Sequence, residues 1–276
     1  MNAVQPIRMG AVIYDPKVTV IWGIIQAFFE QQGVPMMVRF YADYGLQVDA
    51  LVAGQIDIAW NSPLAWLDVE RRTGGRCRAI AMRDTDRDRV SHVVVRREDG
   101  LEGVRGLQGK VIGTGAKDSP QATLIPLDWL RGQGLPEKDY AARHFDIGVG
   151  LHGDHVGGEL EAFRALTRGE VDASVMLDLN RDGWEKDGTL DPGRHVVLGT
   201  TEPFDHCNFS VLESFPQGRQ EDFSRALFAM RYDNPKHREM MDLEGLKEWL
   251  PGRTSGYAAL SRAVETQRFF SEAPLR

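Results

Sequence analysis

The chain has 276 residues, of which 42% are hydrophobic and 26% charged, as is typical of a globular protein with one large domain or two medium ones. Its net charge of -7, without a run of basic residues, argues against a nucleic-acid-binding surface. No apolar stretch approaches the ~20 residues of a membrane span, so we expect no membrane insertion. The two cysteines cannot form a disulfide framework, and we expect free thiols.

Strands and helices alternate along the first part of the chain. Residues 8–16, "RMGAVIYDP", predict a strand that Asp15-Pro16 ends. Apolar residues at helical spacing then predict a helix over 18–33, closed by Gly33. Ser62 is expected to cap a later helix with Pro63 as its first residue. This alternation predicts an α/β protein with mainly parallel sheets. Further strands are predicted at 34–42, 55–60, 77–82 and 91–98.

A second unit of the same design begins near residue 97. The passages 51–63, "LVAGQIDIAWNSP", and 166–178, "LTRGEVDASVMLD", share a helix end, a glycine, an acidic turn and a short apolar strand. Finding this pattern once in each half indicates two related α/β lobes. The elements predicted here are a strand at 107–115, a helix at 118–134, a strand at 140–148, a helix at 157–169 and a strand at 170–177.

In this order the segments resemble the periplasmic phosphonate-, phosphite- and phosphate-binding proteins of ABC importers, which have the type 2 periplasmic binding fold. The resemblance covers roughly residues 8 to 180. Its motifs are "GAVIYDP" with the helix after it, "ADYGLQVDALVAGQIDIAWNSP", "SHVVVRRE", "GLQGKVIGTGAKDSPQATLIPLDWLRGQGL" and the glycine-rich turn before "ALTRGEVDASVML".

The resemblance implies an α/β fold of two lobes with a ligand cleft between them. Lobe one would comprise residues 1–94 plus 201–276, and lobe two residues 95–200. The segments "SHVVVRRE" and "HVVLGTTEP" would be the two crossing strands. The tail 256–270 is expected to pack on lobe one.

The function implied is that of a solute-binding protein. It would capture a small anionic or zwitterionic metabolite, phosphonate- or phosphate-like, with an ABC transporter permease as partner and without nucleic acid or cofactor. The alternative is a cytoplasmic enzyme on the same fold. The start "MNAVQPIRMGAVIYD" has no h-region, which predicts a cytoplasmic chain as written and a periplasmic one if a leader has been removed.

The turn "AKDSPQAT" is the clearest candidate for anion binding. Asp118 or Ser119 would cap a helix, and the backbone N–H groups after Pro120 would point out of its positive end. In the family the matching helix start holds the anion, but Asp118 departs from the small residues of relatives and disfavours a dianion unless it points away. An ordinary capped helix is the alternative. The ligand-binding candidates are Ser119, Gln121, Ala122 and Thr123.

The partner turn in lobe one supplies Asn61 and Ser62 at a second helix start. Tyr44 matches a family tyrosine that donates a hydrogen bond to the ligand. Tyr14 ends the first strand, where α/β proteins meet ligands. Both tyrosines have the alternative of packing in the core.

Residues 147–163, "IGVGLHGDHVGGELEAF", combine His152, Asp154, His155 and Glu159 with five glycines. These groups, with His206 and Cys207 of "PFDHCNF", predict one of three roles: hydrogen bonds to a ligand, a zinc or iron site, or a thiol nucleophile with an imidazole base. A solvated loop and a small buried thiol are the alternatives. The metal candidates are His152, His155, His206 and Cys207, and the catalytic candidates are Cys207, His206, His155 and Glu159.

Three acidic residues are candidates for binding a positively charged group of the ligand. Asp118, Glu159 or Asp178 would hold the cationic end of a zwitterionic ligand, while the helix starts hold its anionic end. The charge run "RDTDRDR", residues 83–89, is interpreted as a solvated connection.

Overall fold

The computed structural model describes residues 5–153 and 157–272. Within them, strands and helices alternate along most of the chain, and no helix combines the length and apolar character that a bilayer crossing needs. The strands are β1 (Ile7–Val12), β2 (Met36–Tyr41), β3 (Ile58–Asn61), β4 (Cys77–Arg83), β5 (Ser91–Arg96), β6 (Val111–Thr114), β7 (Ala141–His144), β8 (Ala173–Leu177), β9 (His195–Thr200), β10 (Asn208–Leu212) and β11 (Trp249–Pro251).

The first helix follows the predicted periodicity closely. In α1 the buried residues include Ile21, Ile25 and Phe29, which recur every fourth position and face the sheet. The helices are α1 (Lys17–Gln31), α2 (Tyr44–Val52), α3 (Pro63–Thr73), α4 (Ile125–Gly132), α5 (Gly158–Thr167), α6 (Asp178–Asp187), α7 (Gln217–Phe228), α8 (Pro235–Glu244), α9 (Ala258–Thr266) and α10 (Phe269–Glu272).

The chain forms two compact units. Unit 1 comprises Met1–Arg87 and Asp205–Gly256, and unit 2 comprises Asp88–Phe204 and Tyr257–Arg276. The expected lobes, 1–94 plus 201–276 and 95–200, differ from this division chiefly at the C-terminus. There α9 packs on α4, and Arg262 Nε donates to Asp128 of α4 over 2.9 Å. The expectation that the tail packs on lobe one is therefore wrong.

Unit 1 is built on a six-stranded sheet within the described residues, in the order β11-β4-β10-β3-β1-β2. The strands β2, β1 and β3 are parallel, whereas β10 pairs antiparallel with β3 and β4, and β11 with β4. The strands β10 and β11 were not predicted from the sequence.

Unit 2 contains a five-stranded sheet within the described residues, in the order β7-β6-β8-β5-β9. The strands β7, β6 and β8 are parallel, and β5 pairs antiparallel with β8 and β9. Both sheets are thus mixed, and the prediction of mainly parallel sheets is wrong. The two expected crossing strands, β5 and β9, pair with each other inside unit 2, since hydrogen bonds along both edges of β5 bind it to this sheet.

Candidate functional site

Each unit has a helix start of the same design at the carboxyl end of a parallel strand. In unit 1, β3 leads into Ser62-Pro63, and the Ser62 hydroxyl accepts from Ala65 N over 3.1 Å. In unit 2, the chain after β6 reaches Ser119-Pro120, and the Ser119 hydroxyl accepts from Ala122 N over 3.2 Å. The predicted caps are confirmed. Carboxyl ends of parallel strands are where α/β proteins gather ligand groups.

The helix start in unit 2 has wider turns than an ordinary α-helix. Residues Pro120–Leu124 form a π-helical segment that continues into α4. Thr123 N donates to Ser119 O over 3.2 Å, and the Thr123 hydroxyl donates to Ala116 O over 2.8 Å. The expectation that the N–H groups of Ala122 and Thr123 point out of the helix is therefore wrong, because Ser119 accepts both of them.

The glycine-rich turn of residues 148–153 packs directly on this helix start. Gly150 N donates to Asp118 Oδ2 over 2.6 Å, and Gln121 Nε2 donates to Gly153 O over 3.2 Å. A Cβ on Gly153 would approach Ser119 Oγ to 2.5 Å, so only glycine permits this contact. The two segments that the sequence singled out separately thus form one cluster inside unit 2.

Asp118 is 1% exposed and does not project into solvent. Burial raises the pKa of its carboxyl group, although the hydrogen bond from Gly150 opposes that shift. Within the described part of the chain, Asp118 Oδ1 and Gln121 Oε1 are both buried without a hydrogen-bond partner. Two buried acceptors without donors are costly, and they favour a ligand that brings donors.

Glu159 is held by three donors from the protein. Its Oε1 accepts from Gln121 Nε2 over 3.0 Å, and its Oε2 accepts from Leu177 N over 2.9 Å and from Asn180 Nδ2 over 2.8 Å. The structure thus brings the candidates Glu159 and Gln121 together. Asn180 was not predicted, since the first turn of α6 approaches Glu159 only through the packing of the sheet.

The other candidates of unit 2 have different surroundings. His152 is buried in the glycine-rich turn with a φ of 53°, whereas Asp154 and His155 lie outside the described residues. Asp178 begins α6 and pairs with Arg89 over 3.3 Å. Burial raises the pKa of Asp178, and the charge of Arg89 opposes that shift. The cation expected for Asp178 is therefore supplied in part by the protein itself.

A buried polar network surrounds Asn61 in unit 1. Gln47 Nε2 donates to Asn61 Oδ1 over 2.8 Å, and Asn61 Nδ2 donates to the Ser210 hydroxyl over 3.0 Å. That hydroxyl donates to Asn208 Oδ1 over 2.6 Å. Asn61 therefore fixes the carboxyl end of β3 through buried hydrogen bonds. Gln47, Asn208 and Ser210 were missed, because polar residues inside a strand or helix carry no local sign of a shared network.

The two candidate tyrosines are placed differently. Tyr44 is 1% exposed at the first position of α2. Tyr14 is partly buried and packs against the hydrophobic core of unit 1. Core packing, the alternative considered for both residues, is what these contacts support.

The charge run 83–89 is not simply a solvated connection. Arg83 and Asp86 are buried, and the guanidinium of Arg83 donates to both carboxylate oxygens of Asp86 over 2.8 and 2.7 Å. Arg83 Nη1 also donates to Glu244 over 2.9 Å. The prediction of a solvated connection was wrong for Arg83 and Asp86. Their burial depends in part on Glu244, which lies 161 positions from Arg83 in the chain and could not be linked to it from the sequence.

His206 and Cys207 join the same cluster. His206 Nδ1 lies 3.1 Å from Cys207 Sγ and 3.6 Å from Asp86 Oδ1. One ligand atom from each of Asp86, His206 and Cys207 lies within 4.8 Å of the other two, so among the described residues these three form a group that could hold a metal ion. However, Arg83 already engages both oxygens of Asp86, and a bound cation would face that guanidinium. His152, the other described metal candidate, belongs to unit 2.

A family model matches most of this chain. The sequence matches, over residues 14–257, the family described as "ABC transporter, phosphonate, periplasmic substrate-binding protein". A protein of Haemophilus influenzae of undescribed activity is 31% identical over 109 residues, which are 40% of this chain and 73% of that protein.

Solved structures share the fold at low sequence identity. PhnD1 from Prochlorococcus marinus, solved with methylphosphonate, is 15% identical with a TM-score of 0.72, covering 95% of this chain and 98% of its own. The binding protein of a phosphonate ABC transporter from Pseudomonas aeruginosa is 14% identical with a TM-score of 0.65, covering 99% and 90%. The aliphatic sulphonate-binding protein SsuA from Escherichia coli is 15% identical with a TM-score of 0.60, covering 98% and 92%.

Proposed function

Because the chain belongs to the family of periplasmic substrate-binding proteins of phosphonate ABC transporters, we propose that it captures a small phosphonate-like anion or zwitterion and delivers it to an importer. The resemblance inferred from the motifs is confirmed by this match and by the shared type 2 fold. The match favours the solute-binding interpretation over the enzyme alternative. The cleft between the lobes stays a prediction.

The observation that carries the proposal is the pair of Ser-Pro helix starts. Ser62 and Ser119 each follow a parallel strand, each caps a helix with its hydroxyl, and each is at most 1% exposed. The dipole of each helix favours an oxyanion at its N-terminus, although in unit 2 the N–H groups of Ala122 and Thr123 already donate to Ser119. A phosphonate presents several acceptor oxygens, which suits such positions.

We also propose that the ligand carries a second group, a hydrogen-bond donor, besides its anionic group. Asp118 Oδ1 and Gln121 Oε1, beside the Ser119 cap, favour a ligand that carries hydrogen-bond donors. An ammonium group supplies up to three donors and a charge opposite to that of an ionised Asp118. We expect 2-aminoethylphosphonate to bind more tightly than ethylphosphonate, which lacks the amine.

Replacing Ser119 with alanine tests the anion role. We expect methylphosphonate affinity, measured by isothermal titration calorimetry, to fall by on the order of 1–3 kcal/mol, since a buried hydrogen-bonding group at the helix start is lost. The cap itself is worth about 0.5–2 kcal/mol of stability. Asn234→Ala is the matched control, because Asn234 also caps a helix ahead of a proline, with its side chain accepting from Lys236 N. If both variants lose stability and neither loses affinity, Ser119 is only a cap.

The partner and the compartment follow from the family. Its members are periplasmic binding components of ABC transporters, so the proposed site of action is the periplasm and the proposed partner an ABC permease. Osmotic-shock fractionation of cells that express the chromosomal gene should place the protein in the periplasmic fraction. Recovery with a cytoplasmic marker enzyme would favour the cytoplasmic expectation instead.

A further inference from the structure

Unit 2 contains a cavity close to the Ser119 helix start. Its volume is about 890 Å³, and it lies among the start of α4, the edge strand β7 and the turn between α9 and α10. Pockets that bind small molecules commonly measure about 300–1,000 Å³. Asp118 and Thr123 form part of one wall, but Ser119 and Gln121 do not line it. The cavity therefore does not include the Ser119 cap, but it shares Asp118 with the proposed solute site.

The charged side chains of the cavity are mostly cationic. Lys117, Lys138 and Arg268 line it, and within the described ranges none of the three forms an ion pair. Arg131 also lines it but pairs with Asp128. The acidic lining residues are Asp118 and Glu137. This surplus of positive charge is local, because the whole chain carries a net charge of -7, and it favours an anion.

The remaining lining combines apolar side chains with polar ones, among which Tyr140 is a buried hydrogen-bond donor. Leu124, Leu127 and Phe269 contribute apolar surface. Tyr140 is 8% exposed, and its hydroxyl has no hydrogen-bond partner within the described part of the chain. Burial raises the pKa of Tyr140, so the hydroxyl keeps its proton and can donate to an anionic oxygen.

The backbone places Arg268 at the cavity by an unusual conformation. Arg268 has a φ of 52°, a left-handed geometry that residues other than glycine rarely adopt. It separates α9 from α10 and brings both Arg268 and Phe269 to the lining. A cation and an aromatic ring are thus presented side by side.

We propose that this cavity binds an organic anion with an apolar body, the anionic group meeting Lys138, Arg268 and the Tyr140 hydroxyl while the body covers Leu124, Leu127 and Phe269. The site differs from the proposed solute site in its cationic and apolar lining, and Asp118 belongs to both. Its ligand class is amphiphilic, whereas the Ser-Pro helix starts suit a small polar oxyanion.

The probe that tests the proposal is 8-anilinonaphthalene-1-sulfonate, which joins a sulfonate to an apolar ring system and fluoresces when bound. We expect one saturable site per chain and unchanged binding in Ser119→Ala. Lys138→Glu should weaken binding about tenfold, because the charge that meets the sulfonate is reversed. Lys236→Glu on α8 of unit 1 is the matched control and should leave binding nearly unchanged.

Two further measurements keep the result interpretable. N-phenyl-1-naphthylamine has the same rings without the sulfonate, and it should bind about tenfold more weakly than the sulfonate. Tyr140→Phe keeps the ring and should weaken sulfonate binding alone. Equal binding of the two probes, equal effects of Lys138→Glu and Lys236→Glu, or several equivalent sites would overturn the proposal. Circular dichroism of each variant separates loss of the site from loss of folding.

Discussion

Two buried carboxylates, Asp86 in unit 1 and Asp118 in unit 2, have the same exposure, but their pKa values are shifted in opposite directions. Each is 1% exposed. Burial by itself would raise the pKa of Asp86, but the adjacent charge and hydrogen bonds of Arg83 lower it well below the ordinary range. At Asp118 burial dominates and the pKa is raised. Because the two residues are equally buried, the difference shows that the charges and hydrogen-bond donors around a buried carboxyl group determine the direction of its pKa shift.

The two carboxylates also differ in how completely their oxygens are hydrogen-bonded. Arg83 engages both oxygens of Asp86, and Cys207 N adds a further hydrogen bond to it over 3.2 Å. At Asp118 one oxygen accepts from Gly150 and the other has no partner within the described residues. A carboxylate whose two oxygens are both hydrogen-bonded suits a structural role, whereas one with an unpartnered oxygen beside a helix start suits ligand binding.

The largest expected effect follows from removing the guanidinium of unit 1. Arg83→Met would leave Asp86 and Glu244 buried without their cation, so we expect the free energy of unfolding to fall by about 3–5 kcal/mol. Urea denaturation measures this change. Arg231→Met is the control, because Arg231 pairs with Asp233 at the surface and should change stability little. Similar losses in both variants would contradict a structural role specific to the Asp86 cluster.

A smaller, pH-dependent effect is expected at Asp118. Its folded-state pKa is raised, so the ionised form destabilises the fold at about pH 7, and this penalty disappears as the pH falls below the unfolded value of about 3.9. Asp118→Asn should therefore be more stable than the wild type at neutral pH and equally stable in acid. Thermal unfolding across this range measures the difference.

The exposed neighbour Asp146 supplies the control for that series. Asp146 Oδ1 accepts from Lys117 N over 2.8 Å in the same turn, but its side chain is not buried. Asp146→Asn should show a smaller gain in stability at neutral pH than Asp118→Asn, because it removes only the repulsion that the charge of Asp146 exerts on Asp118. A gain at Asp118 that persisted unchanged into acid would mean that packing, rather than ionisation, distinguishes the two carboxylates.

The smallest effect is expected from metal ions. Zinc should leave the unfolding temperature nearly unchanged, because Arg83 holds the Asp86 oxygens that would complete a site with His206 and Cys207. A saturable rise that Cys207→Ser abolished and Cys77→Ser retained would instead support the zinc or iron alternative. The partly exposed Cys77 is the appropriate thiol control.

Features encoded within a few residues were predicted well from the sequence. The Ser62 and Ser119 caps were predicted because a hydroxyl before proline satisfies backbone N–H groups two or three residues further on. The buried face of α1 followed from the spacing of its apolar residues. The family was recognised because the motifs occur in a set order along the chain.

Features that depend on distant residues were decided by the tertiary structure alone. Arg83 is buried because Glu244 meets it, and Glu159 is satisfied because Asn180 and Leu177 reach it across the sheet of unit 2. Similarly, β10 enters the sheet of unit 1 from the far end of the chain. Burying a charge or joining a strand requires partners, and a sequence records which residues exist but not which of them packing brings together.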